Sequence, residues 1–122
     1  MKPLLHLLLA LALAASLAQA ALAKSGGKKG AYGAIALQRE TGQVGYAYNA
    51  ASARAAKVEA LNQCGDARCE VVTSFNNACG ALARAQKKYF AATGATREEA
   101  ETKALRKCAS KDCAITVWTC TK

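Results

Sequence analysis

The six cysteines, at positions 64, 69, 79, 108, 113 and 120, have the widest chemical repertoire in this chain. Thiols ligate metals, exchange electrons, attack carbonyls or close disulfides, and spacing separates these uses. Two pairs share one spacing, Cys64-x4-Cys69 and Cys108-x4-Cys113. Four-thiolate zinc sites are usually built on C-x2-C knuckles. Thioredoxin-type exchange needs C-x-x-C with a reactive thiolate. Neither motif occurs. Nucleophilic catalysis by Cys or Ser needs a base, most often histidine. The single histidine, His6, lies in an apolar N-terminal run. An even number of cysteines in a small chain then reads as a disulfide framework in an oxidising compartment. No metal, no cofactor and no catalytic constellation is expected.

Charged side chains are the next candidates. Lys103, Arg106, Lys107 and Lys111 cluster near the end of a predicted helix, and Lys87 and Lys88 stand beside Tyr89 and Phe90. The plain reading is a solvated face, with cations favoured at the helix C-terminus and lysines guarding a sheet edge. The functional reading is a basic patch for an acidic protein, an anionic envelope polymer or nucleic acid. Aromatics beside the cations also suit base stacking. The carboxylates are few, and Glu98, Glu99 and Glu101 fall in the first turns of a helix, where the dipole favours them. A hydrolase dyad would need distant carboxylates such as Glu40 and Glu70 to meet in space, with Asp112 a further carboxylate for such a cluster.

A duplicated frame must position these groups. Residues 56–75 (AKVEALNQCGDARCEVVTSF) and 100–119 (AETKALRKCASKDCAITVWT) share Ala, Ala-Leu and both cysteines at an offset of 44. Self-similarity at such a period marks repeated supersecondary units. Ser52 predicts one helix N-cap, and Thr96 to Glu99 a capping box at the other. Gly65 is placed to end the first helix. Glu99 and Lys103 form a favourable i, i+4 pair. Residues 44–49 alternate Val44, Tyr46 and Tyr48 with Gly45 and Ala47, the pattern of a strand with one buried face. Trp118 reads as core. Each unit is strand, strand, helix, strand. The predicted fold is α+β: a duplicated β-β-α-β unit in a mostly antiparallel sheet of about six strands, two helices on one face, stapled by disulfides.

Six cysteines allow 15 pairings. The duplication favours Cys64–Cys69 and Cys108–Cys113, each pinning a helix to its following strand. Cys79–Cys120 is left to tie the two halves together. A pairing that crosses the halves, such as Cys64–Cys108, is the rival scheme.

A basic start, an apolar run and small residues near Ala20 and Ala23 read residues 1–23 as a secretory signal peptide. Residues 24–31, rich in Gly and Lys, read as a flexible leader. Residues 32–122 form one domain of two pseudo-repeats, about 32–78 and 79–120. No later segment is apolar enough to span a membrane, so the expected location is periplasmic or secreted. The formal charge is +9, roughly +8 without the signal peptide.

The segments GAIAL, TGQVGYAYN, A-x3-ALNQC, CEVVTSF and NACGALA together resemble the DUF4189 family of exported bacterial domains. The resemblance runs from about Gly33 to Cys120. It implies a small secreted cysteine-containing domain and brings no catalytic residues. The Lys87-Lys88-Tyr89-Phe90 segment departs from it, since such domains look Gly-rich there. The expected function is a non-enzymatic binding module acting on an unidentified protein partner, of the inhibitor or immunity type. The alternative is an anionic-ligand binder, and a small hydrolase is the third reading.

Overall fold

The repeat folds twice into strand, strand, helix, strand. A computed structural model describes residues 30–121. Its strands are β1 (Tyr32–Leu37), β2 (Val44–Ala50), β3 (Glu70–Asn76), β4 (Cys79–Ala85), β5 (Lys88–Gly94) and β6 (Ala114–Cys120). Helix α1 (Ala53–Cys64) follows β2, and helix α2 (Arg97–Cys108) follows β5. The expected signal peptide, residues 1–23, and residues 24–29 of the expected leader lie outside the described residues. Gly30 and Ala31 do not behave as a flexible leader. Gly30 is buried against Ala50, and the Ala31 carbonyl accepts from the Asn77 N–H at 2.9 Å.

Local sequence chemistry sets the helix ends. Ser52 Oγ accepts from the Ala55 N–H at 3.0 Å, and Thr96 Oγ1 accepts from the Glu99 N–H at 3.2 Å. Each satisfies an N-terminal donor that the helix cannot. The Glu99 carboxylate reaches back to the Ala95 N–H at 3.2 Å, one residue before the reciprocal contact of a standard capping box. Gly65 ends α1 at φ 78°, as expected. Ala109 ends α2 in the same left-handed region, at φ 52°.

The six strands are all antiparallel to their neighbours, but they divide into two sheets of three, β2-β1-β3 and β5-β4-β6. Nor do the helices share one face; each covers its own sheet. Ala34, Ala36 and Ala47 pack under α1 with Ala56, Ala60 and Cys64. Ala81, Ala83 and Ala92 pack under α2 with Ala100, Ala104 and Cys108. Strand alternation turns Ile35, Leu37 and Leu82 to the opposite faces, where they are fully buried. There β1 lies over β4, β3 over β5 and β2 over β6. The layers run helix, sheet, sheet, helix. One six-stranded sheet with both helices on one face would leave Ile35, Leu37 and Leu82 in water. Folding the sheets against each other buries them. The Phe75 ring closes the join, seated over Gly33 and Gly80, where a methyl group at either glycine would overlap it.

The buried face of β2 is its small side. Gly45 sits so close under α1 that a Cβ would strike the Ala60 carbonyl and the Cys64 backbone. Tyr46 and Tyr48 therefore occupy the more open side, stacked with ring centroids 6.4 Å apart.

All three expected disulfides form: Cys64–Cys69, Cys79–Cys120 and Cys108–Cys113. Cys79–Cys120 does not tie the halves together. Cys79 and Cys120 face each other across β4 and β6 within the second sheet. In the first sheet Tyr32 and Asn76 hold the same paired position. Among the described residues no helix is long and apolar enough to cross a membrane.

Loop length ranks the disulfides. Cys79–Cys120 spans 41 residues and each of the others 5. Replacing Cys79 and Cys120 with Ala should lower stability by about 4 kcal/mol, against about 2 kcal/mol for either short loop; urea unfolding of the three variants reads the order. Ala109→Gly relieves a left-handed alanine and should raise stability by about 1 kcal/mol, read the same way.

Candidate functional site

Charge separates two units that are otherwise built alike. Between residues 32 and 78 four basic side chains meet four acidic ones. Between residues 79 and 120 eight basic meet four acidic. Within residues 32–120 the net positive charge therefore lies on the second unit.

Three of the expected basic residues come together there. Lys103, Arg106 and Lys107 line a shallow depression of about 480 Å³ between α2 and β5, floored by Ala92 and Thr93. Helical spacing explains it: positions 103, 106 and 107 lie on one face. Their side chains are not equally available. Lys103 pairs with Glu99 at 2.8 Å. Lys107 Nζ donates to the Ala91 carbonyl at 2.9 Å, bridging helix and strand. Arg106 has no partner among the described residues. It is the guanidinium free to take a carboxylate or phosphate in two-point contact.

Lys87, Lys88 and Lys111 lie at one end of the second sheet. Lys88 pairs with Ala85 in the tight β4–β5 turn, and Ala114, just after the Lys111 loop, pairs with neighbouring Arg84. The turn and the disulfide loop thus project together from the end of β4. Arg84 lies 5.3 Å over the Tyr89 ring and donates through Nε to the Gln86 carbonyl at 2.6 Å.

The carboxylates considered for hydrolysis serve another arrangement. Glu40 pairs with Arg68, and Glu70 pairs with Arg39. The two pairs join the β1–β2 loop to the start of β3 and the first disulfide loop. All four side chains are more than half exposed, so each pair contributes at most about 1 kcal/mol. Each carboxylate faces a guanidinium rather than the other carboxylate, as a glycosidase pair would require. Asp112 lies in the other unit's disulfide loop.

Sequence reasoning misplaced Trp118. It stands on edge strand β6, 41% exposed, with the Arg97 guanidinium 3.9 Å from its ring centroid. Arg97 in turn donates through Nε to Glu101 at 2.9 Å. An edge strand leaves a large ring half in water even on the helix-facing side. The signal was the swap of Trp118 for Ser74 between the two copies.

Residues 32–120 match the family described as "Domain of unknown function (DUF4189)". The chain belongs to this family. It is 41% identical over 76 residues to the uncharacterized proteins Rv1813c of Mycobacterium tuberculosis and Mb1843c of Mycobacterium bovis, covering 62% of this chain and 52% of each relative. The chain thus spans about half the length of the curated relatives it matches. Its fold is similar to the NMR structure of Rv1813c from Mycobacterium tuberculosis, with a TM-score of 0.63 and 36% identity over 74% of both chains.

The Lys103 ammonium, hydrogen-bonded to Glu99, and the Ala95 N–H hold the Glu99 carboxyl below the usual carboxylate range. A lowered folded pKa stabilises the protein above the ordinary carboxylate pKa, and that contribution fades as pH falls through the lowered value. Thermal unfolding of wild type and Glu99→Gln should therefore differ at pH 7 and converge in strong acid. The same substitution frees Lys103 and should increase retention on heparin at pH 7.

Proposed function

We propose that this DUF4189 domain is an exported, non-enzymatic binding module whose basic second unit docks on an acidic surface of a partner protein. One observation carries the reading. In a duplicated fold with a charge-balanced first unit, the excess charge falls on the second, where Lys103, Arg106 and Lys107 line one depression. Opposite charge across an interface speeds encounter and selects the partner. A disulfide in each helix–strand loop keeps the surface rigid, so little ordering opposes binding. The signal-peptide pattern of residues 1–23 and the three disulfides support release into the periplasm or outside the cell. An inhibitor or immunity-type partner of a secreted enzyme suits a rigid domain of this size.

A second reading has the same depression as its support. Two ammonium groups and a free guanidinium also suit the repeated charges of an anionic envelope polymer or nucleic acid.

Reversing Lys103, Arg106 and Lys107 to Glu tests both. In the first reading, wild type captures an acidic protein from the envelope fraction at low salt. The triple variant loses it at least tenfold, and added salt weakens wild-type capture. Equal capture by both forms would overturn the basic face as the docking surface. Captured material that is carbohydrate or nuclease-sensitive, with no protein, decides for the second reading.

A further inference from the structure

The two units also differ at one corner, and we infer that this corner of the first unit is a pocket for an aromatic side chain of the partner, tryptophan above all. This deepens the protein-contact reading and rests on it. The strand register places the corner in both copies. Ala34 faces Ser74 across β1 and β3 as Ala81 faces Trp118 across β4 and β6. Tyr32 faces Asn76 as Cys79 faces Cys120. Ala53 follows the cap Ser52 as Arg97 follows the cap Thr96.

In the second unit this corner is filled from within. The Trp118 ring lies there under the Arg97 guanidinium, beside the Cys79–Cys120 disulfide. In the first unit Ser74 and Ala53 replace those two large side chains, and a depression of about 270 Å³ remains. Tyr32, Ala53, Ser74, Phe75 and Asn76 line it. Four of the five are the counterparts of Cys79, Arg97, Trp118 and Cys120. The same backbone frame thus holds an indole in one copy and an open slot in the other.

Size and lining agree with a single side chain. The volume falls just below the range of drug-sized ligand pockets. Tyr32 offers apolar ring surface, Ser74 and Asn76 offer hydrogen-bonding groups, and Phe75, whose ring turns into the join between the sheets, lines the slot from the strand. That combination suits an amphipathic aromatic with one polar atom, the indole N–H first. Tryptophan is also among the side chains that most often anchor protein interfaces. The pocket lies on the charge-balanced unit, so its occupant is recognised by shape and ring contact rather than by charge.

The test uses the exported protein with its disulfides formed, labelled with nitrogen-15 and titrated with N-acetyl-tryptophanamide. N-acetyl-leucinamide is the control. Saturable amide shifts are expected at Ala53, Ser74, Phe75 and Asn76, with at least fivefold weaker response to the leucine probe. Ser74→Trp fills the slot as Trp118 fills its counterpart and should abolish the shifts. Ala53→Leu narrows the entrance and should weaken them several-fold, which keeps the test decisive if the tryptophan variant does not fold. The triple charge reversal at Lys103, Arg106 and Lys107 should leave them unchanged, so the pocket and the basic face can fail separately. Shifts absent from these residues, equal for both probes, or unaffected by the variants that fold would overturn the proposal.

Discussion

Close approach between helix and sheet is the constraint on which this molecule depends. Every buried helix position that meets a sheet is Ala or a disulfide-bonded Cys, and the buried strand positions beneath are Ala or Gly apart from the disulfide-bonded Cys79. Such residues let the layers sit near contact distance. They also bury little: an extra methylene is worth about 0.8 kcal/mol, and an alanine offers only a methyl group. The fully buried larger side chains, Ile35, Leu37 and Leu82, meet Phe75 between the sheets, while Phe90, Ile115 and Val71 are only partly buried beside the helix-facing clusters. The helix–sheet layers are therefore thin and the central layer carries the bulk.

Covalent bonds reinforce the thin layers. Cys64 and Cys108 belong to the helix-facing clusters, and each continues into a bond with the residue just before β3 or β6. Each bond fixes a helix end against its sheet where alanine packing is weakest, at the edge. Cys79–Cys120 does the same for the outer pairing of β4 with β6. The two sheets are held to each other by side-chain packing alone among these features, with Phe75 seated over a glycine from each sheet.

Duplication followed by divergence separates scaffold from surface. The residues common to both copies, Ala, Leu, Gly and Cys, make the layers and their staples. The residues that differ make the surface: a basic depression on the second unit, an open corner on the first. Ser74 and Trp118 occupy the same register position with opposite results, one leaving space and the other filling it. The two faces lie on different units, so one partner can read charge on one side and shape on the other.

Much of this was legible in the chain. The repeat, the order of elements, both helix caps, the Glu99–Lys103 pair and the disulfide pairing follow from local spacing, because each depends on neighbours within a few residues or on the copy of a motif. Lys103, Arg106 and Lys107 were legible as one face because helical periodicity alone brings them together. Tertiary structure decided the rest. The pattern of alternation shows that a strand has two faces, but not what covers each. Only packing revealed that six strands split into two sheets, that Cys79 and Cys120 bridge one sheet rather than both, and that Trp118 stands half in water. It also paired Lys107 with a carbonyl and left Arg106 free. These outcomes depend on which surfaces meet across the fold, and a linear chain encodes that only through the summed packing of every layer.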